Sequence, residues 1–212
     1  MAVIRVYHFL CAKYALEGIE RKRIKISELD TLNDPFELWC SAQDDSDMRR
    51  LLREWKAEMA QKYGMVCFSG GWRNPVLWSH YADKHRGICL GLDVEEQFIP
   101  RVRYVKHRQP LRQPFTTKTT ETLLFTKYWD WSYEQERRGW CPLDVRDPAS
   151  ALFFRDFDHQ MQLREVIAGP LCTTPEAIIK TALRDYQGVA VFKSRLAFTK
   201  FQVVENQKGF SS

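Results

Sequence analysis

Apolar and polar positions follow two periods along this chain, and the points where the period changes mark the elements. The opening VIRVYHF is β-branched and aromatic, which predicts a strand. AKYALEGIERKR then sets Tyr14 and Ile19, with Ala and Leu neighbours, on an uneven apolar face, which predicts a helix. RIKIS alternates and predicts a second, short strand. Regularity breaks at LDTLNDPFE. Asn33 and Asp34 bond readily to nearby backbone, while Pro35 fixes its own φ and biases Asp34 away from helix, so a turn is expected. Phe36 is expected to plug the core from that turn, with Asn33 and Asp34 satisfying loose backbone groups. Between Ser46 and Lys62, Met48, Leu51, Leu52, Trp55 and Met59 recur at helical spacing, with Arg and Glu on the other side.

GMVCFS is a compact strand candidate and GGWRNP a loop. PVLWSHYADKHR, Pro75 to Arg86, predicts a helix ended by Gly87. ICLGLDV reads as a buried strand, and RVRYVK alternates again. ETLLFTKYWDW begins helical and turns aromatic, and LREVIAGP predicts a strand. Thr174 as N-cap and Pro175 in the first turn start a helix over PEAIIKTALRDY. VAVFKSRLAFTKFQVVE supplies one or two terminal strands. With no repeat, heptad run or low-complexity linker, the interleaving predicts an α+β fold. A mixed or antiparallel sheet with several helices is expected in a single globular domain over residues 1–205, with 206–212 fraying as a tail.

Composition narrows the class. In 212 residues, 44% hydrophobic and 13% aromatic content supplies a core without disulfide or metal, and it argues against disorder. No apolar run approaches the roughly 20 residues that cross a bilayer. Lys13 and Glu17 come too early for a signal peptide, so neither membrane association nor secretion is expected. Cysteines 11, 40, 67, 89, 141 and 172 form no CxxC or Cys/His ladder, and they read as small buried hydrophobes in a reducing cytoplasm. The net charge of +5 is mildly basic, short of a dedicated nucleic-acid binder.

Chemistry-bearing residues fall into clusters, and none forms a P-loop, GxGxxG, HExxH or GxSxG. His80 and His85 are turned apart on a helix, so no metal site is predicted. If the first strand alternates, His8 points opposite Tyr7 and Phe9. In LWSHYA, Ser79, His80 and Tyr81 line a possible pocket but form no nucleophile–base pair. In KYWDWSYEQER, an extended backbone would project Glu134 and Glu136 from one face with Arg138 beside them, among stacking Trp and Tyr rings. Such carboxylates can divide labour, one stabilising positive charge and the other taking a proton. A solvated helix with Glu–Arg pairs is the plainer alternative. Arg101, Arg103, Lys106, Arg108, Arg112 and Lys118 form a basic stretch without an acid, fit to attract phosphate or to be a solvated loop.

Together, YHF, NDPFE, LWSHYADKHRGICLGLD, KYWDWSYEQERR and VIAGP resemble, in this order, a bacterial domain-of-unknown-function family, number 2971. The likeness runs roughly from Tyr7 to Val191, and Leu77 stands where that family often has Met. The family has no settled activity. More loosely, the arrangement is similar to ADP-ribosyltransferases. That resemblance implies NAD as substrate, with His8 on the adenosine ribose and Ser69 or Tyr81 bracing the nicotinamide side. It further implies Glu136 on the nicotinamide-ribose hydroxyl, Glu134 orienting a protein or nucleic-acid acceptor, and Arg103 or Arg5 at the diphosphate.

Three functions remain open on this reading. The first is an NAD-consuming ADP-ribosyltransferase-like enzyme in a bacterial defence or toxin setting. The second is a non-catalytic nucleotide or nucleic-acid binding module, with the basic stretch as its contact. The third is a metal-dependent nuclease built on Asp34, Glu37, Glu134, Glu136 and Lys127.

Overall fold

A computed structural model describes residues 2–42, 45–110 and 116–210. In chain order the elements begin with β1 (Val3–Leu10), α1 (Ala12–Glu20), β2 (Arg23–Lys25), β3 (Ser27–Glu28), α2 (Ser46–Lys62) and β4 (Tyr63–Ser69). They continue with α3 (Pro75–Tyr81), β5 (Ile88–Glu95), β6 (Arg103–Val105), α4 (Thr117–Leu124) and β7 (Thr126–Tyr128). The last are β8 (Glu136–Pro142), β9 (Phe154–Asp156), β10 (Met161–Ala168), α5 (Glu176–Ala182), β11 (Ala190–Leu196) and β12 (Val203–Glu205). Short 3-10 segments cover Glu96–Phe98 and Trp129–Glu134. The fold is α+β with mixed pairing, as the interleaved pattern predicts. No helix among the described residues is long and apolar enough to cross a membrane.

The chain divides into two compact units. One comprises Met1–Ile24, Phe68–Gln97 and Arg155–Ser212; the other comprises Lys25–Cys67 and Phe98–Phe154. In the first, β5 pairs antiparallel with both β1 and β10, β10 runs parallel to β11, and β12 closes the edge. Val6, Leu90, Leu92, Val166 and Ile167 are buried there, as uninterrupted apolar runs in central strands predict. Alternation in β1 sends neighbouring rings to different partners: His8 meets Phe68 edge-on at 6.0 Å and Phe9 meets Trp78 at 5.2 Å.

Helix α3 stops at Tyr81, short of the expected Arg86. Asp83, Lys84 and His85 all take positive φ, and the N–H groups of Ala82 and His85 both donate to the Trp78 carbonyl, which closes the helix. Gly87 therefore is not the residue that ends it. A Cβ on Gly87 would fall within 2.9 Å of Ala82 Cα and closer still to the Leu10 carbonyl oxygen, so close approach explains the glycine. Helix α5 starts one residue later than expected, with Pro175 rather than Thr174 as N-cap. In the segment expected to fray, the Asn206 N–H donates to Lys193 O, and its side-chain amide donates to Gly209 O at 2.8 Å. Residues 211–212 lie outside the described set.

In the second unit β4 pairs with β3 and β8, and β6 runs parallel to β7. Leu29, Leu38, Met65 and Leu124 form one buried cluster, and Cys40, Leu52 and Leu123 another, with Trp55 of α2 against both. Phe36 does not plug this core; it is 56% exposed. Two successive turns, Glu37 N–H to Asp34 O and Trp39 N–H to Phe36 O, instead carry Leu38 inward, at a positive φ of 63°.

Gly87→Ala should lower stability by about 2 kcal/mol, a fall in Tm of about 5 °C, because overpacked backbone has nowhere to move. Gly71, with no atom within 4 Å of its Cβ position, is the control: Gly71→Ala should leave Tm unchanged or slightly raised in thermal unfolding.

Candidate functional site

The second unit holds a cluster of buried charge built by strand alternation. On β7, Lys127 turns inward and its neighbour Tyr128 turns out to solvent. The Lys127 ammonium lies 2.7 Å from Glu134 Oε2, 3.1 Å from Glu136 Oε2 and 3.7 Å from Glu37 Oε2. Arg138 lies beside it, with Nε 2.7 Å from Glu136 Oε1, Nη2 3.0 Å from Glu136 Oε2 and Nη1 2.7 Å from Glu37 Oε1. None of these side chains is more than 5% exposed.

The segment is not extended at both glutamates. Glu134 ends the 3-10 turn, Gln135 adopts the left-handed conformation at φ 47°, and Glu136 opens β8. That single left-handed residue brings two carboxylates, two positions apart, onto one ammonium. Arg138 follows Glu136 on the same face of β8 and donates to the Leu124 carbonyl at 2.8 Å.

Electrostatics keep the cluster ionised. Burial alone would raise the Glu136 pKa, but the charge and hydrogen bonds of Arg138, then Lys127 and the Cys67 thiol, hold it at about 2. Burial works against the Lys127 ammonium too, yet Glu136, Glu134 and Glu37 together raise its pKa above the ordinary lysine value. Tyr104, opposite Lys127 in the β6–β7 register, accepts the Glu136 N–H at 2.8 Å, and burial pushes its phenol up.

Outside β7 lies a pocket of about 320 Å³. Phe36, Trp39, Val105, Arg108, Thr126 and Tyr128 are among its walls, and Lys106 and His107 line it too. Its two loops are stitched together: the Gln109 N–H donates to Cys40 O at 2.8 Å and the Ala42 N–H to Gln109 O at 2.9 Å. Cations lie over its rings, Arg108 over Phe36 at 5.1 Å and Lys56 over Trp39 at 5.7 Å, and its wall residue Lys106 reaches over the neighbouring Trp129 at 5.4 Å. Burial raises the Cys40 thiol, and the nearby Arg103 charge opposes that rise. Chemically, the arrangement suits a flat ring that stacks and an anion that pairs with exposed cations.

The residues singled out from sequence divide between the two units. His8, Ser69 and Tyr81 belong to the first; Arg103, Glu134 and Glu136 belong to the second. Ser69 Oγ donates to Gly71 O at 3.0 Å within its own loop, and the Tyr81 ring packs on His80 at 6.0 Å. Arg5 bridges Asp93 and Glu165, each at 2.6 Å. Arg103 is exposed, whereas Glu134 and Glu136 present no carboxylate to the surface. Arg112 of the basic stretch lies outside the described residues. Among the described residues no group of three or more His, Cys, Asp or Glu is placed to hold a metal ion, and the cation among Glu37, Glu134 and Glu136 is Lys127. Trp39 and the outward place of Phe36 were not read from sequence. The NDPFE turn and the basic stretch were visible, but their meeting across β6 and β7 was not. Set against family models, curated proteins and solved structures, the chain matches none.

Removing one member of this cluster should strand the others. Arg138→Met should cost about 3–5 kcal/mol in urea unfolding, because Glu136 and Glu37 would stay buried with less compensation. Glu136 is depressed in the folded state from an ordinary 4.5 to about 2. Its stabilisation is therefore complete above about pH 4.5 and lost as pH falls from there towards 2, on the order of 3 kcal/mol. That acid-side loss should shrink in Glu136→Gln, measured as unfolding free energy against pH.

Proposed function

We propose that this chain binds a nucleotide in the pocket outside β7. The observation that carries the reading is the combination of aromatic walls with unburied cations: Trp39, Phe36 and Tyr128 offer stacking faces, and Lys106 and Arg108 offer charge for phosphate. Glycosidic bond cleavage would need a carboxylate at the ligand, and Glu134 and Glu136 are engaged with Lys127 and Arg138 beneath the surface. Binding without turnover is thus better supported than ADP-ribosyl transfer. NAD, ADP and ADP-ribose all carry the flat ring and the phosphates that this chemistry recognises.

Binding should appear as ligand-dependent thermal stabilisation. ADP, ADP-ribose or NAD at about a hundredfold over Kd should raise Tm by about 5 °C or more. Lys106→Ala with Arg108→Ala should remove the shift while leaving the unliganded Tm unchanged, since both side chains are exposed. No shift with any of the three would sink the reading. Nicotinamide released from NAD by the purified protein would turn it towards the transferase.

A further inference from the structure

The basic stretch is longer than one nucleotide requires. From Gln97 to Thr120 the sequence contains no Asp or Glu. Arg101, Arg103, Lys106, His107 and Arg108 are all exposed within eight positions, and Lys118 is exposed on α4. Among the described residues none of Arg101, Arg103, Lys106 and Arg108 is held in an ion pair with a carboxylate. By contrast, exposed Lys62 and Lys180 on helices are paired at 2.6 Å with Glu58 and Glu176. A surface that leaves its cations unneutralised in one stretch is set to meet a chain of negative charge.

Stacking surface also continues past the pocket. Tyr128 is 48% exposed and its chain neighbour Trp129 47%, while Phe36 on the NDPFE turn is 56% exposed. Two of these rings carry a cation from the basic stretch, Lys106 over Trp129 and Arg108 over Phe36. Rings interleaved with cations suit a strand whose bases are unpaired, because each base stacks while its phosphate finds a charge. In a duplex the bases are already stacked on one another, and these rings would have no face to meet.

We propose that single-stranded nucleic acid is the ligand, with the pocket taking one nucleotide and Trp129 and the Arg101–Arg108 stretch carrying the neighbouring ones. This rests on the nucleotide reading and extends it from one unit to a strand. The test is fluorescence polarisation with 5′-fluorescein-labelled ten-nucleotide oligo-dT and oligo-U, beside a labelled duplex of equal length. Single strands should bind, with log Kobs falling against log salt at a slope of about −2, as three neutralised phosphates give. The duplex should bind about ten-fold more weakly. Trp129→Ala should cost about ten-fold with Tm unchanged, and Trp129→Phe should restore most of it. Lys106→Ala with Arg108→Ala should flatten the salt slope. The preference between oligo-dT and oligo-U assigns the strand to DNA or RNA. No strand binding at 50 mM salt would overturn the proposal, as would equal single-strand and duplex affinity with Trp129→Ala neutral. If ADP still raised Tm in that case, the pocket would stand and only the strand would fall; if neither bound, both would.

Discussion

The second unit is organised around one ammonium group. Lys127 lies in the interior with carboxylates from three separate segments around it: Glu37 from the NDPFE turn, Glu134 from the 3-10 turn and Glu136 from β8. An isolated ammonium cannot be buried at tolerable cost, and neither can a carboxylate, so each group requires the others. Three negative and two positive charges leave the cluster near neutrality only because Arg138 joins it. Such clusters seldom add more stability than well-packed apolar residues would. What this one fixes is arrangement, since the turn, β7 and the start of β8 must lie together for the charges to meet.

From that constraint the outer surface follows. Once Lys127 points inward, strand alternation turns Tyr128 outward, and Val105 on the paired β6 falls opposite it. Glu37, drawn in towards Lys127 and Arg138, leaves Phe36 at the surface where a core position had been expected. The pocket and the ion cluster thus share a wall, since Lys127 itself is among the residues that line the pocket. The pocket's rings and cations stand where they do because the residues beside them are held within.

Much of the fold was legible because it is local. The strand over VIRVYHF, the helix Ser46–Lys62 and the buried strand ICLGLDV carry periods that a few neighbours settle. The end of α3 was misread because nothing in ADKH announces three left-handed residues in succession, which depend on the Trp78 carbonyl and on close approach at Gly87. The units lack a linker signature because the chain passes between them four times, each time inside an ordinary element: β2, β4, the 3-10 turn Glu96–Phe98 and β9. At the site, Glu134, Glu136 and Arg138 were recognisable as a group, but their partner Glu37 lies about a hundred residues away in sequence. Spacing alone could not reveal that the turn and the glutamate pair meet, nor that a left-handed Gln135 would do the work expected of an extended backbone.

Strand β7 is three residues long, and two of its positions already have opposite duties. The stretch between the end of α4 and the start of β8 therefore behaves as a ruler. Residue types along it can drift wherever a ring or a polar group is tolerated, but its length cannot. Gain or loss of one residue would rotate a phenol into the ion cluster and an ammonium into water. Inside and outside would fail in the same step, so related chains should vary here by substitution and take their insertions elsewhere.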